Sequence, residues 1–219
     1  MLRRVSLLCA ALALTAAPLA AQDAAKVASK HYKVLAENER VRVLKVTMAP
    51  GGKAATHEHP AHVGVNLSAG TVTMTTADGE TVEVPMKADD AALYPAGKHS
   101  TANAGQTPLE VIVIELKADP GTGTFPESRP GMTSTVLLDD PRVRAVRVGI
   151  EPSFTEAAGT SHDYDQVVVT LAPSDVALTM EGKTRKSWKR GDVKLIGKGV
   201  PHETHGGKQA GDIVIVSIK

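Results

Sequence analysis

Short runs of β-branched and other apolar residues alternate with turn signals along almost the whole chain. In the first half, this pattern predicts strands at residues 41–48, 63–67, 71–76, 81–84 and 111–116. In the second half, it predicts strands at residues 143–150, 167–171, 176–180, 183–188, 193–196 and 213–218. Asp78-Gly79 and Glu181-Gly182 are typical of the turns that join such strands into hairpins. No long stretch beyond residue 21 has the periodicity of an amphipathic helix, so the pattern predicts an all-β sandwich or barrel.

The two halves of the chain repeat each other. Three pairs of segments share an offset of 102 residues: 40–46 with 142–148, 95–97 with 197–199, and 111–117 with 213–219. Because the offset is constant across each half, chance resemblance between unrelated strands explains it poorly. The sequence therefore predicts two duplicated β domains in tandem.

The segment between the repeats has the composition of a connection. Residues 118–132 contain three prolines and three glycines, which interrupt regular structure. We predict a first domain at residues 31–117, a linker at residues 118–134 and a second domain at residues 135–219. The length of 219 residues suits two domains of roughly 100 residues each.

Histidines lie beside the repeated turns and strands. His57 and His59 are two residues apart, so they project from the same face of a strand and can reach one ion. His99 follows the tight Pro95-Ala96-Gly97 turn, on the hairpin expected to face them, and supplies a third neutral nitrogen. Three imidazoles that leave coordination positions open are typical of a catalytic metal site, whereas a closed four-ligand set is typical of a structural one.

The spacing of these residues resembles the two sequence motifs of the cupin superfamily. The first motif is matched by Gly51, His57, His59 and Gly70, with Val63 where a glutamate ligand belongs. The second motif is matched by Pro95, Gly97, His99 and Asn103, with Asp89 in place of its first glycine and one residue fewer before the histidine. The resemblance covers nearly all of both predicted domains. It implies a secreted bicupin, built from two tandem antiparallel jelly-roll barrels of the double-stranded β-helix type.

The resemblance also implies a metal site in the first barrel. His57, His59 and His99 would point inward at one divalent first-row metal, and a set of three imidazoles suits Fe, Mn, Ni or Zn. The alternative is that the three histidines are polar residues lining a barrel that holds no metal.

Further residues could contribute to this site. His62 lies next to Val63 and could replace the missing carboxylate as a fourth ligand, although strand alternation places it on the opposite face from residue 63. Tyr94 and Asn103 lie near His99 in the sequence and are candidate hydrogen-bond donors around the ligands.

The second copy matches the cupin scaffold better than the cupin site. Gly191, Gly199 and His202 fit the second motif, with Gly197 and Gly206 at the positions of its proline and asparagine. When His162 is aligned with the second histidine of the first motif, Thr160 falls at the first histidine and Gln166 at the glutamate. His162, Gln166 and His202 would make a weak, degenerate metal site, which Asp163, Asp165 or His205 could complete.

The first 21 residues have the features of a secretory signal peptide. Arg3 and Arg4 form a positive region, residues 5–17 are apolar, and residues 18–21 form a small-residue cleavage site before Gln22. The apolar run is shorter than the roughly 20 residues that cross a bilayer. We therefore expect export to the periplasm or the medium, by either the general or the twin-arginine route, and no membrane contact after cleavage.

Composition narrows the choice of partners. The chain has 25 Lys and Arg against 24 Asp and Glu, and only 3% aromatic residues. It therefore lacks the positive charge and the stacking surfaces that nucleic-acid binding requires. We expect a small-molecule ligand and a monomer or homodimer.

Two functional hypotheses remain at this point. The first is a metal-dependent oxygenase or isomerase that acts on a small oxygen-rich molecule in the first barrel. The second is a non-catalytic exported cupin that binds a small molecule or a metal, because the carboxylate expected at residue 63 is absent and acid–base catalysis needs a positioned titratable group.

Overall fold

The computed structural model describes residues 22–117, 121, 125 and 129–219. The predicted signal peptide and most of the predicted linker lie outside these residues. In the first half, the elements are α1 (Ala24–Val27), β1 (Tyr32–Glu37), β2 (Val41–Met48), β3 (Lys53–His59), β4 (His62–Asn66), β5 (Gly70–Thr76), β6 (Thr81–Met86), β7 (Ala91–Tyr94), β8 (Gly97–Asn103) and β9 (Leu109–Leu116). In the second half, they are β10 (Met132–Asp140), β11 (Val143–Ile150), β12 (Asp165–Thr170), β13 (Ala177–Met180), β14 (Lys183–Arg185), β15 (Val193–Ile196), β16 (His202–His205) and β17 (Gly211–Ile218). Within the described part of the chain, no helix has the length and apolar character needed to cross a membrane.

Each half forms its own antiparallel barrel. The first barrel combines a five-stranded sheet, in the order β1-β2-β9-β4-β7, with a four-stranded sheet, in the order β3-β8-β5-β6. The second barrel repeats the five-stranded sheet as β10-β11-β17-β12-β15, and its smaller sheet has the order β14-β13-β16. The prediction of two tandem all-β jelly-roll barrels is confirmed.

The barrels differ at the strand that carries two histidines in the first copy. β3 pairs with β8 along most of its length, whereas the corresponding segment of the second barrel makes only isolated bridges from Thr155 to His205 and from Thr160 to His202. In the second barrel, the segment that corresponds to β3 is therefore a loop.

The two five-stranded sheets pack against each other through a shared apolar core. Alternation along each strand divides its side chains between two faces. Val41 and Val43 of β2 enter the shared core, whereas Leu44, Val46 and Met48 point into the first barrel. The shared core also contains Val63, Val65, Ile112, Ile114, Val143, Ala145, Val167, Val169, Val214, Val216 and Ile218. Each barrel thus has an inner face, and one core joins the two.

Strand limits agree well with the pattern where both faces are apolar. The strands predicted at 41–48, 143–150 and 193–196 have these same limits in the structure. β14 ends at residue 185 instead of 188, because Trp188 packs into a small apolar cluster and pairs with Ser174. β10 begins at Met132, inside the segment predicted as a linker.

One departure from the cupin motif has a conformational explanation. Asp89 and Gly191 occupy matching positions in the two halves, and both have positive φ angles, of 62° and 80°. Glycine adopts this conformation freely, and aspartate tolerates it better than most residues. The Asp89 carboxylate also pairs with Arg190 and Arg147 of the second half. Asp89 therefore replaces the glycine of the motif and forms ion pairs between the barrels.

Candidate metal centre

Three histidines of the first barrel converge as their spacing predicted. His57 and His59 project from one face of β3, and His57 lies directly opposite His99 of β8. Their candidate ligand nitrogens all lie within 4.8 Å of one another. His57 and His59 are buried, and His99 is partly buried. The three imidazoles are therefore close enough to share one ion.

Hydrogen bonds orient two of these rings. Nδ1 of His57 lies 2.6 Å from the carbonyl oxygen of Ala55, and Nδ1 of His59 lies 2.6 Å from Oε1 of Glu115. Both partners are acceptors, so each Nδ1 donates, and Nε2 is the nitrogen of each ring that remains for a metal. An acceptor on the far nitrogen is the arrangement that fixes metal-ligating histidines in proteins.

Glu115 belongs to a chain of charged groups behind His59. Its Oε2 accepts from Nε of Arg42 at 2.6 Å, and the two terminal nitrogens of Arg42 donate to both carboxylate oxygens of Asp23 at 2.9 Å. Burial opposes ionisation of Glu115, but hydrogen bonds from His59 and Arg42 prevail and lower its pKa. A carboxylate therefore fixes His59 from behind.

Burial favours the neutral form of three imidazoles in and beside the site. Burial lowers the pKa of His57. It also lowers the pKa of His62 and of His99 to about 4. Neutral imidazole is the form that binds a metal, so these nitrogens need not lose a proton near neutral pH.

Tyr32 places a hydroxyl group at the site. Its oxygen lies 3.1 Å from Nε2 of His57. Burial raises the pKa of Tyr32 to about 12, so the phenol is protonated and donates to that nitrogen. Tyr32 comes from β1, outside both histidine motifs, and the sequence carries no signal that points to it.

His59, His62 and His99 line a largely apolar cavity of about 330 Å³. Its wall is formed by side chains of both sheets, among them Met48, Met74, Met86, Val84, Val111 and Tyr94. Lys98 is the only charged residue among its described lining residues, apart from the histidines. A small molecule with an apolar body would be held there without water around most of its surface.

His62 lies on the cavity side of the barrel, so the prediction from strand alternation is wrong. The chain turns at Pro60 and Ala61 between β3 and β4, and alternation does not carry across that turn. His62 lines the cavity with its ring centroid 4.9 Å from that of His59, whereas Val63 is fully buried in the core between the barrels. His62 is not part of the cluster of three and stays a candidate fourth ligand.

Of the two residues expected beside the ligands, Tyr94 lies at the cavity and Asn103 does not. Tyr94 lines the cavity and stacks on His62, with ring centroids 5.3 Å apart. Asn103 donates to the carbonyl groups of Met48 and Thr107 and accepts from the amide of Gly105. Its side chain is therefore saturated by backbone groups, and the expectation that it supports a ligand is corrected to a role in fixing the turn after β8.

The second barrel assembles a different group of three. Glu156, His162 and His202 have candidate ligand atoms within 4.8 Å of one another. Thr160 pairs with His202 as His57 pairs with His99, which places Thr160 at the first histidine. Glu156 is 7% exposed and was not predicted.

Gln166 was predicted to be a ligand beside His162 and His202, but it is not part of this group. It lines the second cavity, but its strand partners are Ser217 and Ile196. These match the partners Glu115 and Tyr94 of His62 in the first barrel. Gln166 therefore corresponds to His62, because the turn that misplaced His62 also shifts the alignment by one residue.

A cation already lies within the second group. The guanidinium of Arg129 forms a hydrogen-bonded ion pair with Glu156 and lies 3.4 Å from Nε2 of His162. Burial and, secondly, Arg129 lower the pKa of His162 to about 4. The carboxylate of this group is therefore neutralised by an arginine of the chain itself.

The other residues suggested for the second site are bound elsewhere. Asp163 pairs with Lys219, Asp165 pairs with Arg40 of the first half, and His205 pairs with Glu203. None of the three belongs to the group around His202.

Comparison with known proteins agrees with this architecture. Residues 44–115 match the family model of the Cupin domain. No curated protein matches the chain. Among solved structures, the chain is similar to a Cupin 2 conserved barrel domain protein from Leptotrichia buccalis, with 13% identity, a TM-score of 0.58, and coverage of 86% of this chain and 88% of that one.

Two further structures show the same fold. AerE from Microcystis aeruginosa has 14% identity and a TM-score of 0.64, with coverage of 86% of this chain and 97% of that one. Salicylate 1,2-dioxygenase from Pseudaminobacter salicylatoxidans has 14% identity and a TM-score of 0.63, with coverage of 85% and 76%. The family match and these similarities together support the cupin superfamily.

The sequence held a signal for some of the missed site residues. Arg42 lies two residues before Leu44 in β2, on the strand face that points into the barrel. Glu115 lies two residues after Val113 on the inward face of β9. Charges on an inward face need partners, so the two strands indicate a buried ion pair. Asp23, Glu156 and Arg129 lie outside regular strands, and no pattern points to them.

Proposed function

We propose that this protein is an exported bicupin whose first barrel binds one divalent first-row metal through His57, His59 and His99. With that metal, which is Fe, Mn, Ni or Zn, it acts as an oxygenase or isomerase on a small oxygen-rich molecule. The proposal depends most on one observation: three imidazoles have their candidate ligand atoms within 4.8 Å of one another, and two of them, His59 and His99, line an apolar cavity.

The donor set fits such an ion. Glu115 and the carbonyl of Ala55 hold Nδ1 of two rings, and three nitrogen ligands leave coordination positions for other molecules. A metal held there supplies a Lewis acid that polarises a bound oxygen atom. The protonated Tyr32 hydroxyl, which donates to Nε2 of His57 in the metal-free protein, would be released to donate to a bound molecule when that nitrogen holds the metal. The apolar wall excludes water from such a molecule.

Oxygenase chemistry is better supported than isomerase chemistry. Isomerisation by proton transfer needs a positioned base, and the described residues that line the first cavity include no carboxylate. Glu115 is engaged by Arg42 and His59. One of the similar structures is a salicylate 1,2-dioxygenase, which is compatible with this choice at the level of the fold.

The same missing base favours the second candidate function. A non-catalytic small-molecule or metal-binding cupin needs a cavity and ligands but no acid or base. Its coordination would be filled by protein or by the bound molecule, so small anions would not reach the metal.

Metal analysis tests the proposal. Protein loaded with each of the four metals and then dialysed should retain one ion per chain, and His57→Ala and His99→Ala should lose it. His205→Ala, which removes a histidine outside both groups, is the matched control and should keep the ion. A spectral change on adding azide to the Fe- or Ni-loaded protein would support open positions and catalysis, and no change would favour the binding function. Failure to retain any metal would overturn the proposal.

Export and assembly are part of the proposal. Sequencing the amino terminus of protein recovered from the periplasm or medium should begin at Gln22. Because the two five-stranded sheets already cover each other within one chain, we favour a monomer over a homodimer. Light scattering at several protein concentrations should give the mass of one chain.

A further inference from the structure

The buried ion pair of the first barrel has lost one partner in the second. Arg42 and Glu115 are cross-strand partners in β2 and β9. At the matching positions of β11 and β17, Arg144 is the cross-strand partner of Ser217. The arginine is therefore retained, while the carboxylate that it binds in the first barrel is replaced by a short hydroxyl.

Nε of Arg144 has no close acceptor as a result. Nε of Arg42 donates to Glu115 at 2.6 Å, whereas Nε of Arg144 is buried without a hydrogen-bond partner. The carboxylate nearest to it is that of Asp139, at 3.8 Å, whose side chain is 67% exposed. A buried N–H donor without an acceptor is costly to the fold, so an acceptor brought by a ligand would stabilise this nitrogen.

The cavity beside Arg144 has an excess of positive charge. This cavity of about 150 Å³ is lined by Arg144 and Ser217 and also by the group around Glu156. Its charged lining residues in the described part of the chain are Arg129, Arg144 and Glu156. Arg129 and Glu156 pair with each other, so the charge of Arg144 is left without a close counterpart in the cavity.

We propose that the second barrel binds a small monocarboxylic acid, independently of the metal centre in the first. The carboxylate of the ligand takes the place that Glu115 occupies in the first barrel. It accepts hydrogen bonds from the guanidinium of Arg144 and from the hydroxyl of Ser217.

The remaining wall selects the rest of the ligand. It is mostly apolar and includes Val146, Val168, Leu178, Trp188 and Ile196. A second carboxylate would be desolvated against these side chains, so a monocarboxylate with a compact apolar body fits better than a dicarboxylate. The cavity is smaller than that of the first barrel, which excludes long chains.

The chain contains its own reporter for this site. Trp188 is the only tryptophan in the sequence and lines the second cavity. Benzoate is a suitable probe, and benzamide is a neutral molecule of the same shape. Trp188 fluorescence and calorimetry should both show saturable binding of benzoate and weaker binding of benzamide by about tenfold or more, since a charged hydrogen-bond partner is lost.

Variants separate a specific site from general effects. Arg144→Met should weaken benzoate binding about tenfold or more. Ser217→Glu restores the arrangement of the first barrel, so its carboxylate should occupy the site and abolish binding. Ser217→Ala should weaken binding only a few-fold, and Arg147→Met removes an arginine of the same strand outside the cavity and should leave it unchanged. Unchanged Trp188 emission of the free variants confirms that each one folds.

The outcomes are decisive in either direction. Equal binding of benzoate and benzamide, no saturable binding of benzoate, or full binding by Arg144→Met or Ser217→Glu would overturn the proposal. The same titration in the His57→Ala and His99→Ala double variant should give an unchanged affinity. Loss of metal and loss of benzoate binding are therefore independent results.

Discussion

The two barrels share a scaffold but place their buried charges differently. In the first, a carboxylate from Glu115 lies behind His59 and is neutralised by Arg42. In the second, the carboxylate of Glu156 lies among the histidines and is neutralised by Arg129. The first arrangement leaves three imidazoles within reach of one exogenous cation, whereas the second already contains the guanidinium of Arg129. The two barrels therefore differ in where their buried carboxylate and its arginine lie, although the five-stranded sheet is the same in both.

The largest effect should come from removing Glu115. Glu115→Ala leaves Arg42 buried without its main partner and frees Nδ1 of His59. We expect a loss of about 3–5 kcal/mol in the free energy of unfolding and metal affinity lower by about 10- to 100-fold. Chemical denaturation and competition titration with a chelator measure the two quantities. Glu110→Ala, which removes a half-exposed carboxylate of the same strand, is the control, and equal losses in both variants would contradict the role of Glu115.

The shared core allows a test of how far the barrels are independent. Ile114 is fully buried between the barrels and Leu44 is fully buried inside the first. Each change to alanine should cost about 2–5 kcal/mol. Leu44→Ala should lower the unfolding midpoint of the first barrel, whereas Ile114→Ala should lower the unfolding midpoints of both barrels. Trp188 fluorescence, which reports on the second barrel, should shift more with Ile114→Ala than with Leu44→Ala. The reverse order would contradict the assignment of these faces.

The fold could be predicted because its determinants are local and repeated. In β2 and β11, apolar residues recur at adjacent or alternate positions from one end to the other. The constant offset between the halves identifies the duplication. The pair His57 and His59 was found for the same reason, since strand geometry places residues two apart on one face. Tertiary contacts determine the rest of the site. His62 was misplaced because the chain changes sheets before it, and Glu156 was missed because it lies on a loop with no periodic pattern.

Removing Arg129 should give the second barrel the metal-binding property proposed for the first. In the His57→Ala and His99→Ala background, the chain should bind no metal, and adding Arg129→Met should create one site at Glu156, His162 and His202. Without metal, the change leaves Glu156 buried and unpaired and should cost about 1–3 kcal/mol. Metal should restore this loss. Elemental analysis and thermal denaturation with and without Zn provide the measurement. A background protein that already binds a full equivalent would show that Arg129 does not exclude the ion.

The effect that is smallest near neutral pH, and that grows only on acidification, concerns His62 and its counterpart Gln166. The pKa of His62 is about 4 in the folded protein against 6.5 for an ordinary histidine. The unfolded chain therefore binds more protons between these values, and stability is fully present above pH 6.5 and falls as the pH is lowered toward 4. Groups that interact with the ring charge include His57, His59 and Glu115, and Tyr94 stacks on it.

His62→Gln copies the residue of the second barrel and removes this titration. Metal-free protein should then lose less stability on acidification, by up to about 1.4 kcal/mol for each pH unit between pH 6.5 and 4. Urea denaturation at a series of pH values measures the slope. His31→Gln, which changes an exposed histidine of the same barrel, should leave the slope as it is. If both variants lose stability with falling pH as steeply as the parent protein, burial of His62 is not what makes the first barrel sensitive to acid. His99, whose pKa is also about 4, would then be the histidine whose protonation destabilises the barrel.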